Sequence, residues 1–587
     1  MKKPLFLLCL LFFAAPKGLA KEKVYTHSLN GTPKNLDPVS VESYYGSLLL
    51  ASIYDTLYTY KYLKRPYELK PSLAKKMPDI SQDGLTYTIS LKEGIYFADD
   101  PAFPHGKGRE VLASDFVYSI KRHMDPKNRS TSRSSFENIL GLLEWQKSLD
   151  YDKEAAGLKA LGPYKLQIIL TQKNPRFLYE LASVSSAVVP REAAQKYGRE
   201  LAIRPVGSGP FRLLSFNSSQ AVLVKNKNYR ADYFSLKEEG YDSKTQGVYG
   251  LGALEGRKMP FVDKLVVKFM KQTSSRWQSF HKGNEVQYAV VPPEEAASVL
   301  KPGGGLVLKD AYAKKFILKP EEELGLTFGT FNMANPKIGH HADPVKEEKN
   351  RKLRCAMRKA FHWDARINRF YFGLGKAYSG AISPGLPGYS KLPLDSVTYD
   401  VAGGRRLLGE AGFTAKSLPT IVYGGTSSVK VRQMYEQFRG FMKKIGYPSS
   451  KIKFKASATF GDYIKAVNNG KYDFYAMGWV PSLPDPLQLM ERYSSQHKSP
   501  GSNKAMFENK AFDALYQSAK FMEDGPKRTE KFRQMNAILN HQCVAIESFS
   551  RTTLHIWHRN VKMNYTGNML RNIFKFIDVD TKTVYSH

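Results

Sequence analysis

Cysteine is nearly missing from this chain: three in 587 residues, too few for a fold stapled by disulfides. Long apolar runs are missing as well. The longest, Leu5 to Ala15, falls well short of the ~20 residues that cross a bilayer as a helix. Acidic residues are scarce beside basic ones, 54 Asp and Glu against 88 Lys and Arg, for a formal charge of +34. The excess is spread along the chain (Lys61 to Lys76, Lys349 to Arg369, Lys443 to Lys455). A nucleic-acid binder gathers such charge into a stripe with interleaved aromatics, so no nucleic-acid partner is expected. Signatures of covalent chemistry are lacking too: no Walker A loop, no G-x-G-x-x-G after a strand, no G-x-S-x-G elbow. The twelve histidines include His340-His341 and His555-x-x-His558. The second pair sits in a segment that reads as a strand, where positions three apart face opposite sides. No metal, no cofactor and no catalytic residue is therefore expected.

What is present is a globular composition, 42% hydrophobic and 12% aromatic, in a length that suggests three or four structural units. Lys2 and Lys3, the short apolar run, and small residues at Gly18 and Ala20 form the three parts of a secretory signal peptide, cut after Ala20. Cys9 lies inside the apolar run behind bulky Leu8, which speaks against lipidation. The mature chain is expected to be periplasmic. It keeps Cys355 and Cys543; two buried free thiols are the expectation, with a disulfide as the alternative.

Along the mature chain, Tyr87 to Leu91 and Tyr164 to Thr171 alternate as half-buried strands. Ser114 is the expected cap of a helix facing inward through Phe116, Val117, Ile120 and Met124 and ended by Pro126. Gly207 to Pro210 turns into a hairpin, Phe211 to Phe216 and Ala221 to Lys225, and Lys264 to Met270 is another strand. From about residue 340, helical periodicity takes over. Leu353, Met357, Ala360 and Phe361 share a face, Asp364 is the expected cap of the next helix, and Asp400 opens a helix to Ala411 with Leu407 and Leu408 inward. Phe460, Tyr463, Ile464 and Val467 form a further apolar face. A strand from Tyr472 to Met477 then runs into a loop stiffened by Pro481, Pro484 and Pro486, the kind of strand-end loop that holds ligands in α/β proteins.

Nine short blocks, in order, resemble one family. They are Asn35-Leu-Asp-Pro38 with Ile53-Tyr-Asp-Thr-Leu57; Leu91-Lys-Glu-Gly94; Ala113-Ser-Asp-Phe-Val-Tyr-Ser119; Pro205-Val-Gly-Ser-Gly-Pro-Phe211; Asn228-Tyr229; Thr330-Phe-Asn332; Leu353-Arg-Cys-Ala356; Tyr399-Asp400 with Leu407 to Phe413; and Tyr472-Asp473 with Gly478-Trp479 and Asp485-Pro486. The chain thereby resembles the family 5 solute-binding proteins of ABC importers, typified by the periplasmic oligopeptide- and dipeptide-binding proteins. The resemblance implies a bilobal α/β fold of three domains with the ligand in a cleft between the lobes. Domain I takes 21–45, 186–310 and 546–587, domain II 46–185 and domain III 311–545. It also implies two hinge crossings, lobe closure on the ligand, and a monomer that hands its ligand to inner-membrane permease subunits. A short peptide, paired along strand edges, is the default ligand.

Carried over residue by residue, the resemblance gives a ligand-binding set of Glu42, Tyr44, Gly478, Trp479, Val480 and Ser482. Glu42 falls at the family's acidic pocket residue and Trp479 at its pocket wall, with Gly478 and Val480 offering backbone; a core aromatic is the alternative for Trp479. Ser482 stands where the peptide binders place the aspartate that neutralises a peptide's ammonium group. Ala476 replaces an arginine, and Gly283 to Gln287 departs from the family's Gly-Glu-Ile-Asp. Asp485 is read as the structural acid of an Asp-Pro turn. These departures keep two other readings open. One is a non-peptide ligand (a saccharide, an opine-like compound, a metallophore or a haem-like molecule). The other is a degenerate receptor acting as an envelope interaction protein.

Overall fold

Alternation of apolar and polar residues produces strands wherever one face can be buried. Thr86–Ser90 and Lys165–Ile169 pair antiparallel, Tyr87 opposite Ile168 and Ile89 opposite Leu166, and all four of these side chains are buried. Asp79–Ile80 and Leu158–Gly162 complete this four-stranded sheet. These elements belong to a computed structural model that describes residues 22–41, 43–281, 285–303, 305–386, 389, 398–565 and 569–581. The leader with Cys9, the cut after Ala20, Glu42, Gly283 and Asn284 lie outside the described residues.

The expected hairpin forms from Phe211–Phe216 and Gln220–Lys225, its turn held by the Asn217 side chain, which accepts from the N–H groups of Ser219 and Gln220 at 2.9 Å. Glycine is required at its entrance. A Cβ on Gly207 would lie 2.2 Å from the Ile53 carbonyl oxygen, and the Gly209 N–H donates to that same oxygen at 2.8 Å. The hairpin joins Lys264–Phe269, which pairs parallel with Val24–Leu29 in a second four-stranded sheet.

A third, mixed sheet follows. Ile421–Thr426 lies between Ile452–Ser457 and Phe474–Trp479, parallel to both, with the helices Val429–Lys444 and Phe460–Asn468 as the crossovers. Its long strand, Ala545–His558, begins beside Leu326–Phe331 and ends beside Tyr288–Val290, with Phe316–Glu322 along its second half. That strand thus ties the late sheet to chain that precedes residue 310. His555 and His558 leave it on different sides: His555 meets Tyr288 and Tyr565, whereas His558 packs on Phe280 and Phe316.

Several local expectations need correction. The helix Ala113–Met124 is closed not by exposed Ser114 but by Asp115, whose carboxylate accepts the Leu112 N–H at 2.9 Å. His362, not Asp364, caps Trp363–Tyr371, its ring accepting the Ala365 N–H at 3.3 Å. Phe460 is 68% exposed, although Tyr463 and Val467 on the same helix are buried. Asp400 does cap Val401–Glu410, accepting the Gly403 N–H at 2.7 Å. The neighbouring Gly404 lets Ile445 pack close, since a Cβ there would lie 2.7 Å from its side chain.

The expectation of two free thiols is also overturned: Cys355 and Cys543 form a disulfide, their Cα atoms 5.3 Å apart. The cause is electrostatic. The helix Pro526–Gln542 ends with carbonyls that lack helical partners, and three arginines of the helix Pro344–Ala360 donate to them. Arg358 reaches the Asn540 oxygen at 3.0 Å, Arg351 that of His541 at 3.1 Å, and Arg354 that of Gln542 at 3.0 Å. This arrangement carries Cys543 onto Cys355, a contact between positions 188 apart in sequence.

Candidate functional site

Ser43 folds back to accept the Gly46 N–H at 3.1 Å and so starts the helix Tyr44–Ile53. This fixes Tyr44 at the helix's first turn, where it lines two cavities at once. Its hydroxyl lies 3.2 Å from that of Tyr565, and the Arg571 guanidinium sits over its ring at 4.4 Å.

The first cavity, about 270 Å³, lies between early and late parts of the chain. Val41, Ser43, Tyr44, Asp55, Tyr60 and Tyr179 line it from one side and Ser482 and Leu483 from the other, with Arg571, Asn572 and Lys575 from the C-terminal segment. Two of its charged groups are occupied. Asp55 accepts from Arg230 at 2.6 Å and from Ser208 at 3.0 Å. Lys575 donates to Asp232 at 2.9 Å, and Asp232 also accepts from Tyr229 at 2.6 Å. Burial alone raises the Asp232 carboxyl pKa, yet Lys575 and Arg230 hold it well below the usual carboxylate range.

The second cavity, about 460 Å³, has an aromatic wall. His27 stacks on Tyr288 at 4.7 Å, Tyr288 on Tyr565 at 4.5 Å, and His555 tilts against Tyr565 at 4.7 Å. Its carboxylates, Glu321 and Glu323, each have a cation close by, Lys319 at 3.7 Å and Arg551 at 2.9 Å, and the His555 ring lies 3.2 Å from Glu321. Among the described residues no group of three or more His, Cys, Asp and Glu is placed to hold a metal.

The sequence-derived set divides on this geometry. Tyr44 and Ser482 face the first cavity together. Ser482 is fixed by Gln488, whose amide oxygen accepts the Ser482 N–H at 2.8 Å and whose amide nitrogen donates to its hydroxyl at 2.9 Å. Gly478 and Trp479 belong to the strand Phe474–Trp479, shifted two residues onward from the expected Tyr472 to Met477, and pair with Thr327 and Leu326. Trp479 is half-buried and Val480 is 54% exposed beyond the strand end; none of Gly478, Trp479 and Val480 lines either cavity. Glu42 lies outside the described residues. Asp485 is structural, as read: it is 2% exposed and accepts Arg528 Nη2 at 3.0 and 2.9 Å and the Leu487 N–H at 2.7 Å.

Sequence reading missed Tyr60, Tyr179, Arg571 and Asn572. Arg571, Asn572 and Lys575 interrupt an apolar stretch from Met569 to Phe576, which is a signal of a kind but one without a motif. Further contacts join the early and late parts of the chain: Arg176 donates to the Lys520 carbonyl at 3.0 Å and lies 3.6 Å from Asp485, and Lys173 pairs with Glu523 at 3.3 Å.

Comparison with known proteins bears on all of this. The profile of bacterial extracellular solute-binding proteins, family 5 (middle part) matches residues 68–501. The dipeptide-binding protein of Escherichia coli K12 is 24% identical over 572 residues, spanning 95% of each chain. Heme-binding protein A of Haemophilus influenzae is 23% identical over 502 residues, 84% of this chain and 80% of its own. Among solved structures, the periplasmic binding protein DppA of Helicobacter pylori in complex with the peptide STSA superposes with a TM-score of 0.68 at 21% identity, covering 95% of this chain and 98% of that one. That likeness gives the fold: mixed α/β and bilobal, as expected. No helix among the described residues is long and apolar enough to cross a membrane.

Proposed function

The chain belongs to the family 5 bacterial extracellular solute-binding proteins, and on that premise we propose that it is the exported receptor of an ABC importer, with a short peptide as its ligand. The observation that carries the reading is the first cavity. Tyr44 and Tyr179 line it from one side and Ser482 and Leu483 from the other, so one small molecule there touches both lobes. Differential contact of that kind drives closure, because a ligand shifts a two-state equilibrium only by binding one state better. The division into domain I (21–45, 186–310, 546–587), domain II (46–185) and domain III (311–545) remains our proposal. So do the leader cut after Ala20, residence in the periplasm, a monomeric state and handover to permease subunits. The work is capture and release, with no bond made or broken.

A peptide is favoured because the dipeptide-binding relative aligns over nearly the whole chain. Ser482 supports the second reading, a non-peptide ligand such as the haem of the Haemophilus relative, since no carboxylate stands at that position for an ammonium group. Native mass spectrometry of the mature protein, purified undenatured from a periplasm, separates the two. Added masses that fragment as short peptides are the expected result; a single non-peptide mass would transfer the assignment to the second reading.

Closure also predicts a role for Arg176. In the proposed division it belongs to domain II and its partners Asp485 and Lys520 to domain III. Arg176→Ala should speed ligand release about tenfold, the worth of a charge-assisted bond of roughly 1.5 kcal/mol, and leave association unchanged. Stopped-flow tryptophan fluorescence reads both rates; an unaltered release rate removes Arg176 from the closed state.

A further inference from the structure

The first cavity contains polar groups that the protein buries and does not satisfy. Tyr60 ends the strand Tyr58–Tyr60, pairs with Leu69 across the ladder, and is held edge-on by Tyr67 at 5.7 Å and in parallel by Tyr179 at 6.1 Å. Only 7% of it is exposed, it lines the cavity, and its hydroxyl has no hydrogen-bond partner among the described residues. Asn572 lines the same space: its amide nitrogen donates to the Thr59 hydroxyl at 3.1 Å, while its amide oxygen is buried without a partner among the described residues. Turned over, the same amide accepts from Thr59 and offers an N–H to the cavity instead. Leaving such groups dry costs their full desolvation penalty, so a fold that keeps two of them on one cavity wall is arranged for an occupant that completes them.

The charge of the wall says what that occupant carries. Asp55 and Lys575 are engaged with Arg230 and Asp232. Arg571, half-buried, lines the same wall; its guanidinium rests on the Tyr44 ring, with Tyr60 among the phenols grouped about it. A guanidinium beside a hydroxyl donor suits an anionic oxygen pair, which accepts from both. We infer that this end of the cavity seats the carboxylate end of the ligand, with Arg571 and the Tyr60 hydroxyl as donors and Asn572 as the adjustable third partner. Under the peptide reading, on which this rests, it receives the C-terminus. The ligand then enters carboxylate first, and its orientation is set without an acid at position 482.

The test is a calorimetric titration of the full mature chain with Ala-Ala, Ala-Ala-Ala and Ser-Thr-Ser-Ala, each as free acid and as C-terminal amide. The acids should bind at least tenfold tighter than the amides. Arg571→Gln should bring that ratio near one. Tyr60→Phe, which keeps the ring packing, should cost the acids several-fold and the amides nothing, and so serves even where the arginine variant folds poorly. Amides that bind as well as acids overturn the carboxylate seat and leave the peptide reading standing. An acid preference unmoved by either variant overturns the assignment to Tyr60 and Arg571. Binding of no peptide in either form ends the peptide reading and this inference with it.

Discussion

Asp485→Ala is expected to destabilise the protein by about 3 kcal/mol, at the lower end of the range for breaking a buried ion pair. The carboxylate is 2% exposed and Arg528 opposite it 3%. Asp485 receives two bonds from one guanidinium nitrogen, the Leu487 N–H, and the field of Arg176 at 3.6 Å. Removing it strands a buried cation. The loss stops short of the full range because Arg528 keeps the Ala519 carbonyl at 3.0 Å and the half-exposed Asp524 at 2.6 Å. Since the cost comes from an uncompensated charge and not from lost attraction, Asp485→Leu combined with Arg528→Met should recover most of it. Urea denaturation of the three proteins measures both statements. A single variant within about 0.5 kcal/mol of wild type, the ordinary range of a surface change, would contradict the buried-pair account.

The same residue shows how far sequence reading reached. Asp485 was legible as structural because three prolines around it forbid regular structure and its Asp-Pro step belongs to a recurring block. Elements set by local pattern were equally legible: the hairpin after Gly207-Ser-Gly-Pro210, the alternating strand at Tyr87, and the Asp400 cap all sit where short-range stereochemistry puts them. Partners chosen by the fold were not. The disulfide depends on three arginines reaching the carbonyls of a helix nearly two hundred residues away, and spacing carries no trace of that. The same holds for the cavity wall. Tyr44 and Ser482 came from blocks that resemble a family, whereas Tyr60, Tyr179 and Arg571 come from separate stretches, each unremarkable alone, that meet only when the C-terminal segment folds back beside the first strands. Trp479 is read as a pocket wall from its place at a strand end, with a core aromatic as the alternative; the strand extends through it, pairs it with Leu326 and packs it partly buried against the core.

Two buried histidines give the fold a steep response to acid. His27 is 1% exposed, enclosed by Tyr25, Tyr288, Tyr565 and Phe574, and burial first, with His555 second, holds its pKa down to about 3. His123 is 2% exposed, and burial lowers its pKa to about 4 against the opposing pull of the Ser185 carbonyl. In the unfolded chain both titrate near 6.5. Between that value and the folded pKa the unfolded state binds protons that the fold refuses, so stability falls as pH drops. From pH 7 to 5 each histidine costs about 2 kcal/mol, and the pair about 4 kcal/mol. The check is a difference of differences: denaturation of wild type and of His27→Gln with His123→Gln, each at pH 7 and at pH 5. The substitutions remove hydrogen bonds and ring contacts at both pH values alike, so packing losses cancel. What remains is the titration, and the pH-dependent loss in the double variant should shrink by about 4 kcal/mol. A loss as steep as in wild type would place the acid sensitivity in other groups, the paired carboxylate Asp232 first among them.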